Sequence, residues 1–197
     1  MVQVKPDDWL IIVDYQNDFL PPDGTLAVPG GAELVETINE LIDKFPNSLA
    51  TRDWHPEDHY SFEENGGEWP PHCVQGTKGA EFHPELDHRK VDFKLKKGFD
   101  PEDRSDYSGF SGETPSGRKL IDVLDEAEAG RLFLAGLALD YCVRATGLDA
   151  LAEGFDLFLL EDCTEPVDEE DGELALAELS SEGGEIVTRS ELGFSSP

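Results

Sequence analysis

Basic side chains are scarce in this sequence of 197 residues, which has 15 Lys and Arg against 44 Asp and Glu and a net charge of −29. Nucleic acids and anionic membranes are recognised through clustered Lys and Arg, so this balance argues against both as partners. Repulsion among so many carboxylates is screened in concentrated salt, where the Debye length is about 3 Å at 1 M. We interpret the acidic residues as the solvated surface of a protein from a halophilic source.

Long apolar runs and cysteine pairs are also missing. No segment approaches the roughly 20 apolar residues of a membrane-spanning helix, and the N-terminal residues lack the pattern of a secretion signal, so we expect a cytoplasmic protein. Cys73, Cys142 and Cys163 form no CxxC pattern, which argues against a disulfide framework and a cysteine-based zinc site. No Ser/Gly/Pro tract divides the chain, and we predict a single domain over residues 1–197.

Short apolar runs alternate with segments of helical periodicity along the chain. The alternation predicts an α/β fold, a three-layer sandwich with a mostly parallel six-stranded sheet and helices on both faces. The predicted strands cover about 9–15, 48–55, 91–98, 131–138, 155–162 and 184–188. The predicted helices cover about 30–45, 118–130, 140–153 and 173–181.

Reactive residues follow the carboxyl ends of these strands, where parallel sheets bind their ligands. Asp14 lies at the end of the first predicted strand, Asp53 at the end of the second with His55 just beyond, and Lys97 at the end of the third. Cys142 follows the fourth strand at the start of a helix, whose N-terminus favours a thiolate. Each residue alone has an ordinary structural explanation. Together they bring a nucleophile, a carboxylate, an ammonium group and metal-type ligands to one edge of the sheet.

Five blocks of sequence, spread from about Trp9 to Thr164, resemble the nicotinamidase/pyrazinamidase branch of the isochorismatase-like cysteine hydrolases. The blocks are DYQNDF, TRDWHPEDHYSF, WPPHCVQGT, SDYSGF and GLALDYCVRAT, in the order of the family. The resemblance implies that nicotinamide is hydrolysed to nicotinate and ammonia through a cysteine thioester.

The resemblance assigns a catalytic role to three residues. Cys142 matches the nucleophile, and Asp14 matches the residue that takes the thiol proton and passes it to the departing amine. Lys97 matches the lysine that holds Asp14 in place. Lys94 and Lys96 are rivals for this last role, although strand alternation puts Lys96 on the opposite face of the sheet.

The resemblance also implies an oxyanion hole and a substrate pocket. Leu137 and Ala138 match a pair that the family joins by a cis peptide bond, which would direct the backbone amides of Ala138 and Cys142 to one oxyanion. Leu137 is also expected at the substrate. The residues that match the aromatic walls of the pocket are Phe19, Trp69 and Tyr107, although plain core packing is a serious alternative for Phe19.

A divalent metal is the implied cofactor, bound by Asp53, His55 and His72. One carboxylate and two imidazoles can surround a zinc-sized ion at about 2.0–2.2 Å and leave positions for water and for the pyridine nitrogen of the substrate. We expect Zn²⁺ first, with Mn²⁺ or Fe²⁺ as alternatives. His59 and Glu64 are additional candidates, as ligands or as supports of ligands.

Three other interpretations are weighed against this one. Another amidase of the superfamily, with a carbamoyl-type substrate, would share the Asp, Lys and Cys. Such amidases commonly lack the metal ligands, so the presence of Asp53, His55 and His72 disfavours this alternative. A member acting on isochorismate typically lacks the cysteine. A non-catalytic, metal-dependent binding protein would need one of the three catalytic residues to be missing. The preference between nicotinamide and pyrazinamide stays open, as does the formation of a homo-oligomer.

Overall fold

The apolar runs of the sequence form the strands of a parallel sheet in the computed structural model, which describes residues 1–102, 104 and 107–194. Ser105 and Asp106 of the SDYSGF block lie outside the described residues. The strands are β1 (Val2–Gln3), β2 (Trp9–Val13), β3 (Asn47–Asp53), β4 (Phe93–Lys97), β5 (Arg131–Leu137), β6 (Asp156–Glu165), β7 (Glu185–Val187) and β8 (Leu192–Gly193). The six-stranded sheet has the order β4-β3-β2-β5-β6-β7, and all of its pairings are parallel.

Helices cover both faces of this sheet, as the sequence predicts. They are α1 (Val35–Lys44), α2 (Leu120–Glu126), α3 (Arg144–Ala152) and α4 (Glu169–Ser181). Successive side chains of a strand point to opposite faces, and in β2 Ile12 packs in one core with Ile38 of α1. Ile11 packs in a second core with Leu124 of α2 and Leu179 of α4. The sheet is therefore the middle layer of a three-layer sandwich.

Several element boundaries differ from the predicted ones. Helix α2 is shorter at both ends, and α4 begins four residues earlier because the Asp168 carboxylate caps it by accepting bonds from the amides of Glu170 and Asp171. Strand β6 continues past residue 162 because its register with β5 shifts between Leu134 and Gly136. The pairing of β1 with β8 was not predicted, since two-residue strands leave no periodicity to detect.

The helix after β5 begins irregularly. Residues Leu139–Val143 form a single π-helical turn, and regular α-helix starts at Arg144. Single π turns of this kind are frequent at functional sites. Among the described residues, the helices are too short or too polar to cross a lipid bilayer.

Candidate active site

Asp14 lies at the carboxyl end of the central strand β2, with its side chain fully buried. Its φ of 46° is in the left-handed region, which L-residues seldom adopt. The Thr51 hydroxyl on the neighbouring strand β3 donates a hydrogen bond of 2.8 Å to Asp14 Oδ1. The carboxylate is therefore held in one orientation at the carboxyl ends of the parallel strands.

Lys97 connects the reactive groups at this edge. Its Nζ lies 2.9 Å from Asp14 Oδ2 and 3.5 Å from Cys142 Sγ, and it forms an ion pair with Asp53. The rival lysines point elsewhere, since Lys96 Nζ lies over the ring of Trp54 and Lys94 Nζ donates to a backbone carbonyl. The structure thus brings Asp14, Lys97 and Cys142 together.

Burial and charge set the protonation states of this group. Burial raises the pKa of Asp14 to about 6 against the opposing effect of Lys97. Burial alone would lower the pKa of Lys97, but Asp14 and Asp53 outweigh it and hold that pKa well above its ordinary value. Burial would likewise raise the pKa of Asp53, yet Lys97 and His55 hold it below its usual range. At neutral pH the site therefore contains an ammonium group between two carboxylates.

Cys142 differs from the sequence-based expectation of a thiolate. Burial raises the pKa of its thiol well above the ordinary value, and Lys97 opposes this shift without reversing it. The shift favours the thiol form of Cys142 over the thiolate. The Asp14 carboxylate belongs to the same cluster of ligand-type atoms, which all lie within 4.8 Å of one another, so a candidate proton acceptor lies close to the thiol.

Asp53, His55 and His72 form a second cluster, and their ligand atoms also all lie within 4.8 Å of one another. Nδ1 of His55 donates to the Gly98 carbonyl and Nδ1 of His72 to the Pro70 carbonyl, each over 2.8 Å. In the neutral form of each imidazole this leaves the lone pair of Nε2 for a ligand. Burial would lower the pKa of His55, but Asp53, whose Oδ2 lies 3.5 Å from His55 Nε2, outweighs burial and raises it, so a metal bound there would replace the Nε2 proton. Burial also lowers the pKa of His72, which favours its neutral form. One carboxylate and two imidazoles with this geometry fit a divalent metal such as Zn²⁺.

The two additional metal candidates have different positions. His59 is buried and its ring stacks on that of His55 at 4.0 Å, while its Nδ1 lies 2.7 Å from the Ser61 hydroxyl. Glu64 is exposed on the short 3-10 helix Glu63–Asn65. Neither belongs to the cluster of three ligands found among the described residues. His59 is thus adjacent to the metal ligands, whereas Glu64 is not brought to them.

A cavity of about 290 Å³ opens beside both clusters. Its polar lining consists of Thr25, Asp53, His72 and Cys142, and its apolar and aromatic lining consists of Phe19, Leu26, Ala27, Val28, Trp69, Tyr107, Ala138, Tyr141 and Val167. The Trp69 indole donates a hydrogen bond of 3.0 Å to the Tyr107 hydroxyl. The three aromatic residues predicted for the pocket are therefore all in its wall.

Leu137 and Ala138 differ in their positions relative to this cavity. They are joined by a cis peptide bond, as the resemblance implies. Ala138 lines the cavity, but the Leu137 side chain is fully buried in the core on the α1 side of the sheet. The structure therefore does not bring the Leu137 side chain, which was expected at the substrate, to this cavity, because strand alternation turns it to the other face of the sheet.

Three further residues at this edge were not predicted. Gln16 is fully buried and clamps the end of β3, with Nε2 donating to the Asp53 carbonyl and Oε1 accepting from the Asp53 amide. Tyr141 lines the cavity and contacts Trp69 edge-on at 5.3 Å between ring centroids. Asp140, the residue before Tyr141, is buried. Two features of the sequence could have indicated these residues. Gln16 is a polar residue shortly after an apolar strand, and Asp140 and Tyr141 directly precede Cys142.

Comparisons with known proteins agree with this geometry. A model of the Isochorismatase domain matches residues 8–191. The chain is 38% identical over 187 residues to the nicotinamidase/pyrazinamidase of Mycobacterium tuberculosis, which covers 92% of this chain and 98% of that protein.

Solved structures give the same result. PnC1 from L. infantum, in complex with nicotinate, has a TM-score of 0.90 and 41% identity over 98% of both chains. The pyrazinamidase of Pyrococcus horikoshii, in complex with zinc, has a TM-score of 0.84 and 45% identity over 93% of this chain and 99% of that one. Because the Isochorismatase model spans residues 8–191 and these relatives cover most of the sequence, this chain belongs to the isochorismatase family.

Proposed function

We propose that this protein hydrolyses nicotinamide to nicotinate and ammonia. The main supporting observation is the position of Lys97 Nζ, 2.9 Å from Asp14 Oδ2 and 3.5 Å from Cys142 Sγ. This group lies beside a cavity that two of the metal-type ligands, Asp53 and His72, also line. The cavity suits a single flat heteroaromatic ring, because its volume of about 290 Å³ is at the small end of ligand sites and its walls are aromatic. Relatives with bound nicotinate and zinc support the same substrate and cofactor.

Acylation begins with the Cys142 thiol and the Asp14 carboxylate. Asp14 accepts the thiol proton as Sγ forms a bond to the amide carbon, and Lys97 holds the carboxylate in position. The backbone amides of Ala138 and Cys142 are the proposed donors to the oxyanion. When the carbon–nitrogen bond breaks, Asp14 gives its proton to the nitrogen, which leaves as ammonia. The product on the enzyme is a thioester.

Deacylation uses the same residues in reverse. A water molecule adds to the thioester carbonyl while Asp14 accepts its proton, and the carbon–sulfur bond then breaks. Asp14 returns this proton to Sγ and restores the thiol, and the carboxylic acid that forms loses the second proton of the water to solvent and leaves as nicotinate. The Asp14 pKa of about 6 suits both directions, since the group is mostly ionised at neutral pH and still basic enough to take a proton.

Substrate orientation is the proposed task of Asp53, His55 and His72. A divalent cation bound there, Zn²⁺ in the first instance, would supply a Lewis-acidic position for the pyridine nitrogen. His72 and Asp53 line the substrate cavity and so connect the two clusters. Phe19, Trp69 and Tyr107 hold the ring from the sides.

Ammonia release from nicotinamide in concentrated KCl tests the proposal. We expect turnover by the purified protein, about one metal ion per chain, loss of turnover with a chelator, and recovery when Zn²⁺ is returned. His72→Ala should lower the metal content and raise KM, whereas Glu64→Ala, which changes an exposed residue, should alter neither. Hydrolysis of a carbamoyl amide in preference to nicotinamide and pyrazinamide would favour the alternative amidase and contradict the proposal.

We also propose that the chain acts as one domain in a salty cytoplasm on a small neutral molecule. A net charge of −29 supports this and disfavours nucleic acid and anionic membranes as partners. Homo-oligomerisation stays open to measurement by light scattering.

A further inference from the structure

The connection between β6 and α4 forms part of the substrate cavity. Its residue Val167 lines the cavity together with Tyr141 and Cys142 and is 44% exposed. Only a short turn, residues 166–168, joins the strand to the helix. The shape of the pocket on this side therefore depends on what holds that turn in place.

Asp140 holds the turn from the side of the nucleophile. The Val167 amide donates to Asp140 Oδ1 and Oδ2 over 3.0 and 3.1 Å, and the Asp168 amide donates to Oδ2 over 3.1 Å. Asp140 is 8% exposed and belongs to the π-helical turn that contains Cys142. Hydrogen bonds to an ionised carboxylate are stronger than those between neutral groups. The carboxylate thus ties Val167 to the element that carries the nucleophile.

Helix α4 closes the turn from its other side. The Asp168 carboxylate accepts bonds from the first amides of the helix, so the turn and the helix end move together. A Cβ added to Gly172 would come within 2.7 Å of the Pro166 Cβ, which means that helix and turn are in close contact there. Residues 166–168 are therefore held between the π turn and α4, with little room to shift.

We propose that Asp140 is a positioning residue that fixes Val167 as one wall of the substrate pocket. Its effect on the reaction is indirect. Burial raises the pKa of the Cys142 thiol, and the charges with the largest further effects on it are those of Lys97, Asp14 and Asp53, not that of Asp140. Loss of Asp140 should accordingly weaken substrate binding more than it slows the chemical step.

Two variants at this position test the proposal. Asp140→Ala removes all three hydrogen bonds and should raise KM for nicotinamide about tenfold, with kcat within about threefold of the parent value. Asp140→Asn keeps one carbonyl oxygen as acceptor and should restore most of the KM. Hydrogen exchange at the Val167 and Asp168 amides should accelerate about tenfold in Asp140→Ala, while the β2 amides stay protected.

Asp8→Ala is the matched control. Asp8 is also a buried carboxylate, which accepts bonds from Arg131 and the Lys5 amide, but it precedes β2 at the opposite edge of the sheet. This control should lower the unfolding temperature and leave KM unchanged. Gly172→Ala gives a second approach, because it displaces the turn without changing Asp140, and it should also raise KM.

An unchanged KM in Asp140→Ala, or unchanged exchange at Val167 and Asp168, would overturn the inference. A rise in KM in Asp8→Ala as large as that in Asp140→Ala would overturn it as well, because the effect would then be one of general stability. The measurement of KM rests on the proposed function, but the measurement of hydrogen exchange does not. If the parent protein fails to hydrolyse nicotinamide and exchange still accelerates, the proposed function fails while the positioning of Val167 stands.

Discussion

At the scale of single residues, the site depends on one buried cation. The Lys97 side chain is fully buried, and its ammonium group contacts Asp14, Asp53 and Cys142. Two carboxylates could not stay ionised at such depth without it, because taking a charge out of water costs several kcal/mol. Lys97 therefore stabilises both the proposed acid–base residue and a proposed metal ligand.

Lys97→Met should destabilise the protein and inactivate it. With Asp14 and Asp53 left unpaired, we expect a loss of about 3–5 kcal/mol of unfolding free energy at pH 7. The pKa of folded Asp14, already raised to about 6, should rise further, so the folded state binds a proton more tightly than the unfolded chain and the variant gains stability as the pH falls.

Urea titrations between about pH 5 and pH 8, with a chelator present so that no metal replaces the lost cation, measure this effect. Lys96→Met is the control, since its ammonium group lies over Trp54 near the surface and its loss should cost little. A Lys97→Met protein whose unfolding free energy equals that of the parent at every pH would contradict this account.

The three cysteines should differ in function, although all are buried and free. Cys142→Ala should reduce kcat by at least about 10³-fold and keep the metal content and the melting temperature close to the parent. Cys163→Ala should stay active, since its thiol, whose pKa burial raises to about 12, packs in the core away from the cavity. Ammonia release and metal analysis of the two variants make the comparison. Near-native turnover by Cys142→Ala would exclude the thioester route.

At the scale of elements, the backbone at the end of β5 is closely packed against the neighbouring strand β2. Gly136 has φ +113°, and a Cβ there would lie 2.1 Å from the Val13 carbonyl of β2. The next residues enter the cis peptide and the π turn with Cys142. Only a residue without a Cβ fits this contact, because both the backbone conformation and the distance exclude any other side chain.

Gly136→Ala should therefore destabilise the protein strongly, by more than about 3 kcal/mol. Gly154→Ala is the matched control, because its φ of +92° is also positive but no atom lies within 4 Å of the added Cβ. We expect this control to lose only about 1–2 kcal/mol, the conformational penalty by itself. Urea unfolding measures both variants. Equal losses would show that the contact with Val13 is not limiting.

At the scale of the whole molecule, charge is the dominant feature. The ion pairs of the surface are exposed or half-exposed, such as Lys44–Glu40 and Lys90–Asp43, and pairs of this kind contribute little individually. With 44 acidic and 15 basic side chains, most carboxylates have no cationic partner to neutralise them. Their mutual repulsion opposes the compact state unless salt screens it.

The melting temperature should accordingly rise from about 0.1 to about 3 M KCl, while kcat per active site changes little. Nicotinamide is neutral, so screening does not alter its approach to the site. A thermal melt and an active-site titration across the series measure the two effects. Sucrose at equal osmolality is the control for effects other than screening. A flat melting temperature would contradict the halophilic interpretation.

Much of this protein follows from local sequence. The alternation of apolar runs with helical periodicity determined the α/β fold, and the residues at the strand ends pointed to Asp14, Asp53, Lys97 and Cys142. The fold prediction is confirmed, and the structure places these four residues together, because strand direction and side-chain alternation are local properties and parallel strands bring their carboxyl ends to the same side of the sheet.

Only the tertiary structure decided the rest. Burial raises the pKa of the Cys142 thiol, and the groups that surround it come from distant parts of the sequence, so the position of the cysteine at a helix start could not show this shift. The Leu137 side chain points to the core and the Asp140 carboxylate binds a turn 27 residues later because both depend on how β5, β6 and α4 pack. Contacts between residues far apart in the chain form only when the sheet assembles, so local patterns could not predict them.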